Sequence, residues 1–115
     1  MTFMGNRKES TMLTAETRKK GDIISLKLTS GEEIIGYYEE EDADSCIIDK
    51  PFMIMMTPEG IAMGQWLKSL DLVFGEAIKI NKTYIVSTWA PLESMAKEYD
   101  TQMNSLISWE NDEVF

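Results

Sequence analysis

Lys27-Leu28-Thr29-Ser30-Gly31-Glu32-Glu33-Ile34-Ile35-Gly36 is the stretch whose reading decides the fold. To its left, Asp22 to Thr29 alternates, with Ile24, Leu26 and Leu28 on one side and Ser25, Lys27 and Thr29 on the other, the pattern of a half-buried strand. Ser30-Gly31 supplies a turn, and Glu32 to Glu41 resumes as a second strand containing Ile34, Ile35, Tyr37 and Tyr38. Gly36 lies in its middle, where a glycine weakens a ladder unless the chain must bend or bulge sharply, as it must at the corners of small barrels.

Further strands follow at short intervals. Asp42-Ala43-Asp44-Ser45 is a turn, and Cys46 to Thr57 a third, apolar strand that Pro51 breaks with a bulge or an edge. After Pro58-Glu59-Gly60, Ile61 to Lys68 reads as a fourth strand, interrupted over Ser69 to Gly75 and continued over Glu76 to Ile80. A tight Asn81-Lys82 connection leads to a fifth strand over Tyr84 to Trp89. Five short strands at this spacing predict a mainly β fold, a small five-stranded antiparallel barrel or sandwich.

The barrel is flanked by other structure. Pro91 opens a C-terminal helix over residues 91–108, because Leu92, Met95, Ala96, Tyr99, Met103, Leu106 and Ile107 recur at three- and four-residue steps. That stripe either covers an open side of the barrel or forms a subunit interface. Residues 109–115 form an acidic tail. Residues 1–21 are a basic arm in which a short helix can start at Ser10 or Thr11, with Arg18, Lys19 and Lys20 at its negative end and Gly21 as its stop.

Composition narrows the function. The 115 residues carry 20 acidic and 11 basic side chains and no histidine, for a net charge of -9. Histidine-dependent triads are excluded, and a single cysteine, Cys46, is too little for a structural zinc site or an internal disulfide. No metal or cofactor is expected. Glu39, Glu40, Glu41, Asp42 and Asp44 are acids on one exposed turn, unlike the separated carboxylate pair that acid–base catalysis needs, so the expectation is a protein that is not an enzyme. Asp42-Ala43-Asp44 is not a calcium loop either, since Ile47 and Met53 stand where an EF-hand needs glycine and glutamate. The apolar runs are too short to cross a membrane, and a soluble cytoplasmic protein is the expectation. Charge is uneven: the first twenty residues hold five basic and two acidic side chains, while the remainder holds six and eighteen.

The stretch from Lys27 to Gly36, the acidic turn after it, and Cys46-Ile47-Ile48-Asp49-Lys50-Pro51 together resemble the first motif of the Sm-like (LSm) proteins. With Trp66-Leu67, the similarity is greatest to Sm-like proteins of tailed phages and cyanophages, and it covers residues 22–90. The resemblance implies a small, strongly bent, five-stranded antiparallel barrel that pairs edge to edge into a homo-oligomeric ring, in the host cell cytoplasm if of phage origin, and association with single-stranded RNA. In such proteins the RNA site is built from a loop after the second strand and a turn before the last. Here those positions fall on Asp42, Asp44 and Cys46, and on Asn81 and Lys82; Asp44 stands where relatives stack a base, and Asn81 and Lys82 replace Arg-Gly. Lys82, with Lys79 nearby, is the first candidate for phosphate contact, and the arm residues Arg18, Lys19 and Lys20 are the second. The alternative is a ring that has lost RNA binding and acts as a protein scaffold through its acidic faces and C-terminal helix.

Overall fold

A computed structural model describes the backbone of residues 18–113 and the side chains of residues 18–107. The chain is mainly β: strands β1 (Ile23–Leu28), β2 (Glu33–Glu41), β3 (Ser45–Thr57), β4 (Gly60–Gln65), β5 (Ile78–Asn81) and β6 (Ile85–Trp89), a 3-10 turn η1 (Lys82–Tyr84), and helix α1 (Glu93–Glu113). The antiparallel sheet runs β4-β3-β2-β1-β6, with β5 also paired to β3, and it does not close.

The expected fourth strand is two. β4 pairs with the C-terminal half of β3, from Phe52↔Gln65 to Thr57↔Gly60, and β5 with its N-terminal half, from Ser45↔Asn81 to Ile48↔Ile78. Between them the chain leaves the sheet beside β3 residues Asp49 to Pro51, where Lys50 adopts a φ of 51°. β3 bulges there, spending three steps between Asp49 and Phe52 while β2 spends two between Tyr37 and Ile35. A strand following this edge loses its partner at the corner and must loop out.

Gly36 stands inside that corner. A Cβ on it would strike Ile48 Cγ2 and lie 3.0 Å from the Asp49 carbonyl oxygen, so only glycine lets β2 and β3 approach this closely. The bend folds the inner face onto itself around Ile24, Leu26, Leu28, Ile34, Tyr38, Cys46, Ile48 and Ile80, with Trp66 and Ile85 packed alongside. Alternation sends Ile35 and Tyr37 to the outer face, where Ile35, Phe52, Tyr99 and Met103 make a second core.

Helix α1 seats on this outer core through Tyr99 and Met103, whereas Leu92 at the start of the expected stripe is exposed. Tyr99 is fully buried, stacks obliquely on Tyr37 at 5.1 Å, and donates its hydroxyl to the Lys50 carbonyl at 2.5 Å, capturing the acceptor that the bulge frees. The helix starts at Glu93, with the Leu92 carbonyl accepting from the Met95 and Ala96 amides. It runs to Glu113 rather than ending at 108, since no glycine or proline breaks it over the stretch expected as a tail.

Most of the short helix expected from Ser10 lies outside the described residues. Its proposed last turn does not form: Lys19 to Asp22 is a tight turn, with the Lys19 amide donating to Asp22 Oδ2 and the Asp22 amide to the Lys19 carbonyl. Gly21, at φ 96°, belongs to this turn, and its amide donates to the Tyr38 carbonyl, so the sheet competes successfully for the basic segment.

Candidate functional site

Two turns meet at one rim of the sheet. In the first, Asp42 folds its carboxylate back on its own turn, Oδ1 accepting from the amides of Asp44 at 2.8 Å and Ser45 at 2.7 Å, and these bonds hold its carboxyl below the usual range. In the second, Asn81 caps η1, Oδ1 accepting from the Thr83 amide at 2.9 Å and the Thr83 hydroxyl at 2.8 Å. The β3–β5 register joins them through Ser45↔Asn81, Cys46↔Ile80 and Ile47↔Lys79, and the Lys82 amide donates to the Asp44 carbonyl at 2.7 Å.

Glu41, at the end of β2, is the hub beside these turns. Lys82 Nζ lies 2.7 Å from its Oε2, Arg18 3.6 Å from Oε1, and the Tyr38 hydroxyl donates to Oε1 at 3.1 Å. The Lys82 bond comes first in lowering the Glu41 pKa and in raising that of Lys82, while burial, then the Glu41 bond, pushes the Tyr38 phenol up to about 12. Arg18 also donates to Thr88 Oγ1 at 3.0 Å and stacks over the Tyr38 ring at 5.5 Å. Around this hub is a hollow of about 320 Å³ lined by Arg18, Glu41, Cys46, Lys82, Ser87 and Thr88.

The candidates read from the sequence therefore converge only in part. Asp42, Asp44, Asn81 and Lys82 come together, and Arg18 of the arm joins them through Glu41, a residue the sequence marked only as one of several exposed acids. Lys79 is exposed beside them. Lys19 is exposed, and Lys20 reaches Glu39 at 3.3 Å instead of the hub. Cys46 is 2% exposed, its thiol pushed up by burial, and it packs in the inner core at the floor of that hollow. Chemically the hub holds two cations around one carboxylate, with the Thr88 hydroxyl beside them, an arrangement that accepts an anion if Glu41 shares its partners.

A second feature lies along the sheet edges. The exposed large apolar side chains among the described residues fall in two groups: Met55, Met56, Ile61 and Phe74 on the β4 side, and Tyr84, Val86, Trp89 and Leu92 along β6. Of the three strands paired on one side only, β4 (Gly-Ile-Ala-Met-Gly-Gln) and β6 (Ile-Val-Ser-Thr-Trp) contain no charged residue, whereas β5 carries Lys79. Among the described residues no helix is long and apolar enough to cross a membrane. No protein-family model and no curated protein matches the chain.

Proposed function

We propose that this chain is an Sm-like subunit that assembles edge to edge into a homo-oligomeric ring and associates with RNA, without being an enzyme. The observation that carries the ring is the character of two free edges, β4 and β6; β5, which pairs only with β3 and continues the β4 side, carries Lys79. Edge strands of proteins that stay monomeric are blunted by charges, prolines or covering segments, and β4 and β6 have no charge or proline. Each is flanked by exposed apolar side chains, and the two edges differ from one another, so pairing β4 of one copy with β6 of the next is heterologous, the kind of contact that makes a ring where the rotation closes. Concentrating charge away from these edges also lets copies with a net charge of -9 approach.

RNA association rests on the hub, where Arg18 and Lys82 flank a single carboxylate. Repeated around a ring, Arg18 and Lys82 supply cations able to contact phosphates, beside the carboxylates of Asp42 and Asp44. One observation favours the second reading, a ring acting as a protein scaffold: Asn81 and Asp42 spend their side chains on their own turns, and no aromatic ring stands at the Asp44 position to stack a base.

Native mass spectrometry and RNA anisotropy test the two parts separately. A single closed oligomer is expected, dissociated by Val86→Lys; a strictly monomeric wild type at tens of micromolar overturns the ring. Oligo-U, oligo-A and mixed RNA are expected to bind with affinity that falls with salt and with Lys82→Ala. Absence of binding by all three at about 50 mM salt overturns the RNA reading and leaves the scaffold.

A further inference from the structure

Residues 66–77, the excursion between β4 and β5, present an aromatic side chain to solvent on a braced turn. Gln65 Nε2 donates to the carbonyls of Leu67 at 2.7 Å and Leu70 at 2.9 Å, fixing the base of the loop. At its tip Asp71 Oδ1 accepts from the amides of Val73 at 3.0 Å and Phe74 at 3.1 Å, while the Gly75 amide donates to the Asp71 carbonyl at 2.7 Å. Trp66 anchors one end on the inner core and Leu72 packs against the outer core. Phe74, between these anchors and the return to β5, is 80% exposed, the most exposed of the large apolar side chains in the described chain.

Such a side chain gains nothing for the fold. An exposed phenyl ring forgoes roughly 2 kcal/mol of burial, and a turn that holds it in one place has already met the ordering cost that weakens flexible contacts. Aromatic side chains on fixed supports are the usual anchors of protein interfaces. What the anchor meets follows from its place: the loop springs from the end of β4, the edge proposed above to pair with β6 of the next copy.

We propose that the Phe74 turn is a docking knob for a second copy of this chain, seating against that neighbour's Tyr84 at the start of β6; the inference rests on the edge-paired reading above. Antiparallel pairing lays Gln65 at the end of β4 against the beginning of the neighbour's β6, and Tyr84 immediately precedes it, 59% exposed. Two aromatic rings then meet at one end of the strand pair, and Ile61 and Met56 face the end that carries Trp89 and Leu92. Each subunit contributes the knob on one edge and its seat on the other, so the contact repeats at every interface of a ring.

Sedimentation velocity and disulfide trapping test the knob. Phe74→Ala is expected to weaken self-association by about 10- to 100-fold while leaving the thermal melt of the dilute monomer unchanged, and Glu76→Gln, an exposed change in the same loop, to leave association as it is. In a Cys46→Ala background, mixing Phe74→Cys with Tyr84→Cys is expected to give a disulfide-linked dimer that forms less with Trp89→Cys. An intact wild-type oligomer with Phe74→Ala as strongly associated as wild type, or trapping only through Trp89→Cys, overturns the knob and spares the ring. A wild type that stays monomeric at tens of micromolar fails both, so the two readings can be told apart.

Discussion

The two cores of this small domain are built on opposite plans. The inner core draws Ile24, Leu26, Leu28, Ile34, Tyr38, Cys46, Ile48 and Ile80 from four strands, and its contacts are apolar except at the Tyr38 hydroxyl. The outer core has four buried members, two of them on one turn of α1, and it is closed by polar bonds: Tyr99 to the Lys50 carbonyl and Tyr37 to Asp100 Oδ1 at 2.6 Å. A core spread over four strands can lose one contact and keep its shape. A clamp concentrated in Tyr99 and Met103 holds the helix or releases it.

The inner plan has one point without redundancy, Gly36. Gly36→Ala must push Ile48 and the Asp49 carbonyl apart across the corner that makes the inner face close. Overpacking of this kind costs ~1–3 kcal/mol where neighbours can yield, and here one neighbour is backbone and the other a fully buried β-branched side chain, so the upper end or beyond is expected. Urea unfolding of Gly36→Ala should show a midpoint clearly lower than wild type. An unchanged midpoint would mean that the corner is wider than described and that the two cores differ less than argued.

The outer plan breaks differently. Tyr99→Ala removes the ring that touches Tyr37 and Phe52 and the donor that satisfies the bulge, a truncation costing ~3–5 kcal/mol when a large core aromatic is lost. Hydrogen exchange should show α1 amides losing protection while β1 and β2 amides keep theirs, the signature of a detachable element. Tyr99→Phe keeps the ring and leaves the Lys50 carbonyl unpaired, for a smaller cost of about 1–2 kcal/mol. The clamp also has a pH side: burial, foremost, raises the Tyr99 phenol above its ordinary 10.0. A raised pKa means that its stabilising contribution is complete below pH 10 and is lost as pH climbs beyond that through the folded value. Tyr99→Phe should remove that share of the alkaline loss and leave the shares of Tyr37 and Tyr38, whose phenols are raised as well.

This contrast also explains what the sequence could disclose. The inner core is a period-2 signal carried by Ile24, Leu26, Leu28 and Ile34, and Gly36 and Pro51 mark the corner because glycine and proline have few other reasons to stand inside strands. The interruption after Lys68 was legible, but its division of one strand into β4 and β5 follows from the bulge in β3, which depends on pairing across the sheet. Asp42, Asp44, Asn81 and Lys82 could be placed together once strand order was assumed. The Arg18–Glu41–Lys82 hub could not, because Glu41 sits among other acids and only the fold selects it. Phe74 lay in a stretch read as a mere interruption; an Asp and a Gly flanking a lone aromatic was the available sign, and exposure is a property of the fold.

The smallest effect concerns a polar atom beside the outer core. Ser25 sits on β1 opposite Ile35 and Trp89, fully buried, and its hydroxyl has no hydrogen-bond partner. The outer face elsewhere spends its polar atoms well, so this hydroxyl is its one uncompensated cost among the described side chains. Ser25→Ala keeps the backbone and nearly all the volume while removing a desolvated group worth roughly 1–3 kcal/mol when unpaired. The lost contacts of the oxygen offset part of that, so the variant should be between neutral and about 1 kcal/mol more stable than wild type in urea unfolding. Destabilisation by Ser25→Ala would instead assign the hydroxyl a partner, and the outer core would then depend on polar bonds along β1 as well as at the helix clamp.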